Sequence, residues 1–172
     1  MANEPFVTLI ADGSWSSESR KGGWAARLIY EGERFTYSGP CKNLCKQSYD
    51  AEIAAIGNGL KFALEEKVIP EFKGIFVQTD NMRTLELLKT LRENRIIRSA
   101  MEIKVRLFLC QLLDEKKVKY FSCRHIKGHV PEHQRQARHH VHEVLDRLAK
   151  QGRRLAEKDQ TNVSSYPTSF GD

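Results

Sequence analysis

The chain has 172 residues, with 28 Lys and Arg against 22 Asp and Glu, a formal net charge of +6. A hydrophobic fraction of 40% and a charged fraction of 29% are ordinary for a globular protein, and exclude a disordered acidic chain, a collagen-like repeat or a disulfide scaffold. No apolar run approaches the length of a spanning helix and no cationic leader with an apolar stretch is visible. Four cysteines (Cys41, Cys45, Cys110, Cys123) without an export signal then point to reduced thiols in the cytoplasm. The charge is unevenly placed: residues 1–88 carry 10 basic and 12 acidic groups, residues 89–172 carry 18 and 10. All six histidines lie between His125 and His142. A basic C-terminal half suggests a polyanion meeting one face, although long solvated helices account for the same lysines and arginines.

Residues 6–12 read as a buried strand that ends at Asp12-Gly13-Ser14. Gly22-Gly23 opens a second strand reaching Tyr30, and Glu31-Gly32-Glu33 turns into a third over residues 34–38, so the three form a meander. After a polar loop, Ser48 is the predicted N-cap of a helix with Ile53, Ile56, Leu60 and Leu64 on one stripe. Residues 74–80 give a fourth strand, and Asn81 caps a short helix carrying Leu85, Leu88 and Leu91. A longer helix is predicted over residues 96–113, with Ile96, Ala100, Ile103, Leu107 and Cys110 as its buried stripe. Residues 118–123 form the fifth strand, and Val141, Val144, Leu145 and Leu148 mark a last amphipathic helix. The expectation is one α/β domain over residues 1–154, in the order β-β-β-α-β-α-α-β-α, followed by a polar, disordered tail over 155–172.

Two strands share an ending. Leu-Ile-Ala-Asp12 and Val-Gln-Thr-Asp80 each deliver a carboxylate at the carboxyl end of a buried strand, where open α/β sheets place ligands. Parallel neighbours would bring Asp12 and Asp80 close, which is unfavourable without a cation or a shared proton. Glu52 starts the intervening helix and Asp146 flanks the apolar stripe of the last one. Together they would make an oxygen-rich site for Mg²⁺. Taken singly, each has a plainer reading as a turn residue, a helix-dipole partner or solvated surface.

Ile-Ala-Asp12-Gly-Ser14, Gly22-Gly-Trp24-Ala, Asp50-Ala-Glu52, Gln78-Thr-Asp80-Asn81, Lys127-Gly-His129 and Leu145-Asp146-Arg-Leu-Ala149 follow one another in an order that resembles type 1 ribonuclease H over residues 5–152. The resemblance implies a ribonuclease H-like fold, a five-stranded mixed sheet with its first three strands antiparallel and helices on both faces. It also implies that Asp12, Glu52, Asp80 and Asp146 hold two Mg²⁺ ions, with Mn²⁺ as a substitute and Asp12 as the bridge. Ions roughly 3.5–4 Å apart would activate water and stabilise the leaving 3′ oxygen of an in-line displacement. His129 matches the family's loop histidine, which implies proton transfer or help in product release. Gly13 and Ser14 match the substrate-contacting turn, where a missing side chain would let a sugar approach. Gln47 and Ser48 take the place of adjacent Asn residues that read the hybrid, and Ser48 could bond a 2′-hydroxyl. Asn81 completes the expected substrate contacts.

The chain also departs from the pattern. Sixteen residues, basic and rich in histidine, separate His129 from Asp146, a spacing closer to retroviral-type members, and His142 stands where the family commonly has Asn. Lys89, Arg92, Arg95, Arg98, Lys104 and Arg106, opposed by Glu93 and Glu102, suggest phosphate contact without the tryptophan of the family's basic protrusion. The Cys41, Cys45, Cys123 and His125 spacing is too irregular for a zinc site. Trp24 reads as sheet packing and Trp15 as an exposed contact for nucleic acid. The function expected is Mg²⁺-dependent endonucleolytic cleavage of the RNA strand of RNA–DNA hybrids, leaving a 5′ phosphate. No membrane and no obligatory protein partner are expected. The alternatives are a nuclease of the same fold acting on structured RNA, DNA or junctions, and a non-catalytic binding module. All four carboxylates being present weighs against the last.

Overall fold

Strand β1 (Phe6–Trp15) is the spine of a computed structural model that describes residues 4–93, 97, 99–127 and 130–158. Val7, Leu9 and Ala11 face one side of it and Ile10 the other, and all four are buried, as a strand covered on both faces requires. β2 (Gly22–Tyr30) pairs antiparallel with β1, and β3 (Glu33–Pro40) pairs antiparallel with β2. β4 (Gly74–Thr79) runs parallel beside β1, and β5 (Tyr120–His125) lies parallel beside β4. The five-stranded mixed sheet has the order β3-β2-β1-β4-β5.

Helices α1 (Ser48–Glu65), α2 (Met82–Lys89) and α3 (Ala100–Glu115) bury their apolar faces in the main core on one side, with Ile53, Ile56 and Leu60 fully buried. Helix α4 (Ala137–Lys158) covers the other side through a small cluster of Ile10, Ala25, Leu145 and Ala149. It lies so close to the sheet that a Cβ at Gly152 would strike the carbonyl of Gly39, and one at Gly23 the backbone of α4. Among the described residues, no helix is long and apolar enough to cross a membrane. Residues 159–172, most of the expected tail, lie outside the described residues.

The predicted elements are all present, with four corrections. β1 does not stop at Asp12 but continues to Trp15, because β2 stays paired with it through Asp12↔Ala25 and Trp15↔Gly22. The N-cap of α1 is Gln47, extended at φ −158° and ψ 165°; Ser48 is already helical, and Asp50 reaches back to accept from the Lys46 N–H at 2.8 Å. α3 begins only at Ala100, where Ser99 accepts from the Glu102 N–H at 3.1 Å. Its buried stripe is Met101, Val105, Leu109 and Leu112, whereas Ile103 and Leu107 are exposed; apolar residues on both faces make two stripes equally readable. β5 starts at Tyr120 rather than residue 118. Lys117, at φ 50°, closes α3 in a Schellman turn whose second bond is Val118 N–H to the Leu113 carbonyl, so that stretch is occupied by the cap.

Candidate active site

The parallel pairing of β1 and β4 ends at Ile10↔Gln78, and both strands then carry an acid past that edge. Asp12 follows two residues later within β1, and Asp80 sits in the turn after β4. Glu52 comes from the first turns of α1, across the main core face. One carboxylate oxygen from each of Asp12, Glu52 and Asp80 lies within 4.8 Å of the others. Gly13 makes this approach possible. A Cβ there would collide with the Ala51 carbonyl carbon and the Glu52 amide nitrogen, so the missing side chain admits the helix backbone, and with it Glu52. The turn holding Asp80 is fixed by short bonds: Asn81 N–H donates to Thr79 Oγ1 at 3.1 Å, and Asn81 Oδ1 accepts from Thr84 N–H at 3.0 Å. His125 Nε2 donates to the Asp80 carbonyl at 3.0 Å, which gives a role to one histidine that the sequence leaves without one.

Burying acids this close raises their proton affinity. Burial, helped by the charges of Asp80 and Asp146, pushes the Asp12 carboxyl from 3.8 up to about 8. Glu52 is likewise raised well above its ordinary value, by burial first and then by the charges of Asp12 and Asp80. Glu52 Oε2 is buried and has no hydrogen-bond partner among the described residues. Three acids compressed in this way, with one oxygen left unpartnered, suit a hard divalent cation that would replace the retained protons.

A cavity of about 240 Å³ opens onto this cluster. Asp12, Asp80, Asp146 and Glu143 contribute acids to its lining, and Lys127, Arg135, His139 and His142 contribute bases. Asp146 is half-exposed and paired with Lys150 Nζ at 2.7 Å, so it faces the cavity from α4 without entering the tight cluster. His142, one turn earlier on α4, is buried at 9% exposure, and its Nε2 has no partner among the described residues. Burial lowers its proton affinity, against the opposing charges of Asp80 and Asp146. His139 is oriented by accepting the Gln136 N–H on Nδ1 at 2.8 Å, and Arg135 pairs with Glu143 at 3.0 Å. This basic wall is not expected from the sequence; four residues with no regular spacing compose it.

The remaining expected site residues are placed as follows. His129 lies outside the described residues. Ser14 is buried in β1, and the space at Gly13 is filled by α1 rather than left for a sugar. Asn81 has its side chain engaged as the cap of α2. Ser48 is exposed, and Gln47 Oε1 accepts from Arg83 at 3.1 Å. Trp15 is half-buried, its Nε1–H donating to the Cys45 carbonyl at 3.0 Å, so it packs the fold instead of standing out as a contact. Trp24 is sheet packing, stacked on Phe62. Two cations of the basic segment are held by acids of the fold: the partly buried Arg106 pairs with Glu102 at 3.1 Å and bonds the Thr90 carbonyl, and Arg92 pairs with Asp114. Arg95 and Arg98 lie outside the described residues.

The sheet order, the helices on both faces and the acids gathered at one sheet edge define a ribonuclease H-like α/β fold. The family model for RNase H matches residues 4–154, and the chain belongs to that family of nucleases, which are phosphodiester hydrolases. No curated protein sequence matches it. Among solved structures, RNase H1 from the halophilic archaeon Halobacterium salinarum NRC-1 is 17% identical, covering 86% of this chain and 96% of its own, with a TM-score of 0.57. LC11-RNase H1, in complex with an RNA/DNA hybrid, is 13% identical, covering 88% and 99%, with a TM-score of 0.60. The protease-reverse transcriptase of prototype foamy virus is 20% identical and covers 87% of this chain and 21% of its own, with a TM-score of 0.55. These likenesses establish the fold.

Proposed function

We propose that the protein cleaves the RNA strand of RNA–DNA hybrids internally, leaving a 5′ phosphate, with two Mg²⁺ ions held by Asp12, Glu52, Asp80 and Asp146. The observation that carries this reading is the buried three-acid cluster, with Glu52 Oε2 unpartnered, at the floor of a cavity that Asp146 also lines. The chemistry such cations supply when bound is polarisation of the phosphate and activation of water. Around them the chain's own groups have separate tasks. Gly13 and the Asp80 turn hold the acids in register, and Lys127 and Arg135 offer positive charge to phosphate from the facing wall. Ser48, exposed where α1 begins, would meet a sugar 2′-hydroxyl, with the partly exposed Gln47 beside it. A hybrid as substrate is supported by family membership and by the hybrid in the LC11-RNase H1 complex. Cytoplasmic action without an obligatory protein partner completes the reading.

The test is to incubate the protein with Mg²⁺ and, in parallel, labelled RNA–DNA hybrid, double-stranded RNA and DNA. RNA-strand cutting of the hybrid is expected, and preferential cutting of DNA would overturn the substrate assignment. Asp80→Asn should abolish cleavage while hybrid binding is kept or improved, since a repelling charge is removed. Normal cleavage by that variant would refute the cation site.

A further inference from the structure

The outward face of α4 carries a row of cations that the acid site does not use. His140, Arg147 and Arg154 follow one another at intervals of seven residues, close to two helical turns, so they stand in line on one side of the helix. All three are exposed. With Glu143, Asp146 and Lys150 they line a shallow concavity along α4. Glu143 and Asp146 also line the cavity over Asp12 and Asp80, so the two concavities adjoin. Several other cations of the chain are neutralised by acids: Arg92 by Asp114, Arg106 by Glu102, Lys119 by Glu4 and Arg135 by Glu143. The two acids of the α4 concavity are engaged as well, Glu143 with Arg135 and Asp146 with Lys150. Among the described residues, no carboxylate pairs with Arg147 or Arg154. We infer that Arg147 and Arg154 hold backbone phosphates of the nucleic acid where it runs out of the active-site cavity along α4.

The physical reason is charge and spacing. The acids that floor the cavity do not attract a polyanion, so cations beside them carry that task. Arginine suits it, because its planar fork of donors matches a phosphate and its charge persists at any working pH. Seven residues of helix advance about 10.5 Å, roughly the length of three nucleotides along one strand. Arg147 and Arg154 are thus spaced to meet phosphates of the same strand. Contacts of this kind grip the backbone and carry no sequence information. The inference rests on a nucleic acid being the substrate, as proposed above, and it assigns a place to the stretch beyond the reacting phosphate.

The experiment uses the whole chain in a chelator, so that binding is read without cleavage. Fluorescence anisotropy follows the affinity for a labelled RNA–DNA hybrid and for duplex DNA of the same length, from about 50 to 200 mM KCl. Two phosphate contacts contribute roughly −1.8 to the salt slope. Over that range the wild type should therefore lose roughly tenfold more affinity than Arg147→Gln/Arg154→Gln. At the lowest salt the double variant should bind about tenfold more weakly, by the same factor for hybrid and DNA. Arg147→Lys/Arg154→Lys keeps the charge and should restore the slope, which a fault in folding would not allow. An unchanged slope, a loss confined to the hybrid, or no rescue by lysine would overturn the contact and leave the nuclease reading standing. Binding with the expected salt dependence but no cleavage of either duplex in Mg²⁺ would refute the nuclease reading and leave the α4 contact standing. Failure of the wild type to bind either duplex at the lowest salt would overturn the contact.

Discussion

Replacing Asp12 with Asn should stabilise the cation-free protein at alkaline pH. In the fold the Asp12 carboxyl titrates at about 8 instead of 3.8, because it is buried beside Asp80 and Asp146. Between those values the folded state holds a proton that the unfolded chain has released, so stability falls as pH rises from the lower value through the higher one. Every tenfold gain in proton affinity is worth about 1.4 kcal/mol, which sets a ceiling of about 6 kcal/mol for full ionisation. The half-exposed Asp80 and Asp146 let water reach the cluster, and the measurable difference is then about 1–3 kcal/mol, the usual cost of an unsatisfied buried group. Asn matches the protonated acid in shape and cannot ionise. Thermal unfolding in a chelator should therefore show the variant unfolding roughly 3–10 °C higher at pH 8.5. The gain should vanish below about pH 3, where both states of the wild type are protonated. A difference independent of pH, or a variant less stable throughout, would refute the electrostatic account of this site. Adding Mg²⁺ should raise the wild type more than the variant, since the ligand set of the variant is incomplete.

Gly13→Ala should destabilise the fold by about 1–3 kcal/mol in urea unfolding and weaken cation binding together, because the added carbon displaces α1 and Glu52 with it. Wild-type cation affinity in that variant would disconnect Gly13 from the site. Arg106→Met should cost about 1–3 kcal/mol, since it removes the ion pair with Glu102, buried at 5% side-chain exposure, and the bond to the Thr90 carbonyl. A neutral effect on the unfolding midpoint would show that the pair is hydrated in solution.

The fold and three of the four acids are legible in the sequence because each rests on local patterns. Apolar β-branched runs ending in Asp mark the two central strands, and an acid in the first turns of a helix places Glu52. What cannot be read depends on neighbours distant in sequence. β1 passes Asp12 only because β2 is long enough to stay paired. The stripe expected for α3 falls on the wrong face because Ile103 and Leu107 imitate a buried row while standing exposed. Arg106 has the look of a free phosphate contact, yet Glu102, one helical turn away, closes on it. The basic wall is hidden in the sequence for a related reason. Lys127, Arg135, His139 and His142 come from an irregular loop and the start of α4, and they converge only once that helix docks.

The two faces of the sheet do not hold their helices equally. Asp12, Glu52 and Asp80 are set by the large core beneath α1, whereas His142 and Asp146 ride on α4, which packs on the other face through the smaller cluster of Ile10, Ala25, Leu145 and Ala149 and close backbone contacts at Gly23 and Gly152. Any local opening of α4 would withdraw one side of the cavity while leaving the other intact. During synthesis α4 is also the last described element to emerge, so the cavity is completed only when nearly all of the fold exists. The nascent chain therefore lacks one wall of the candidate site until its final helix seats.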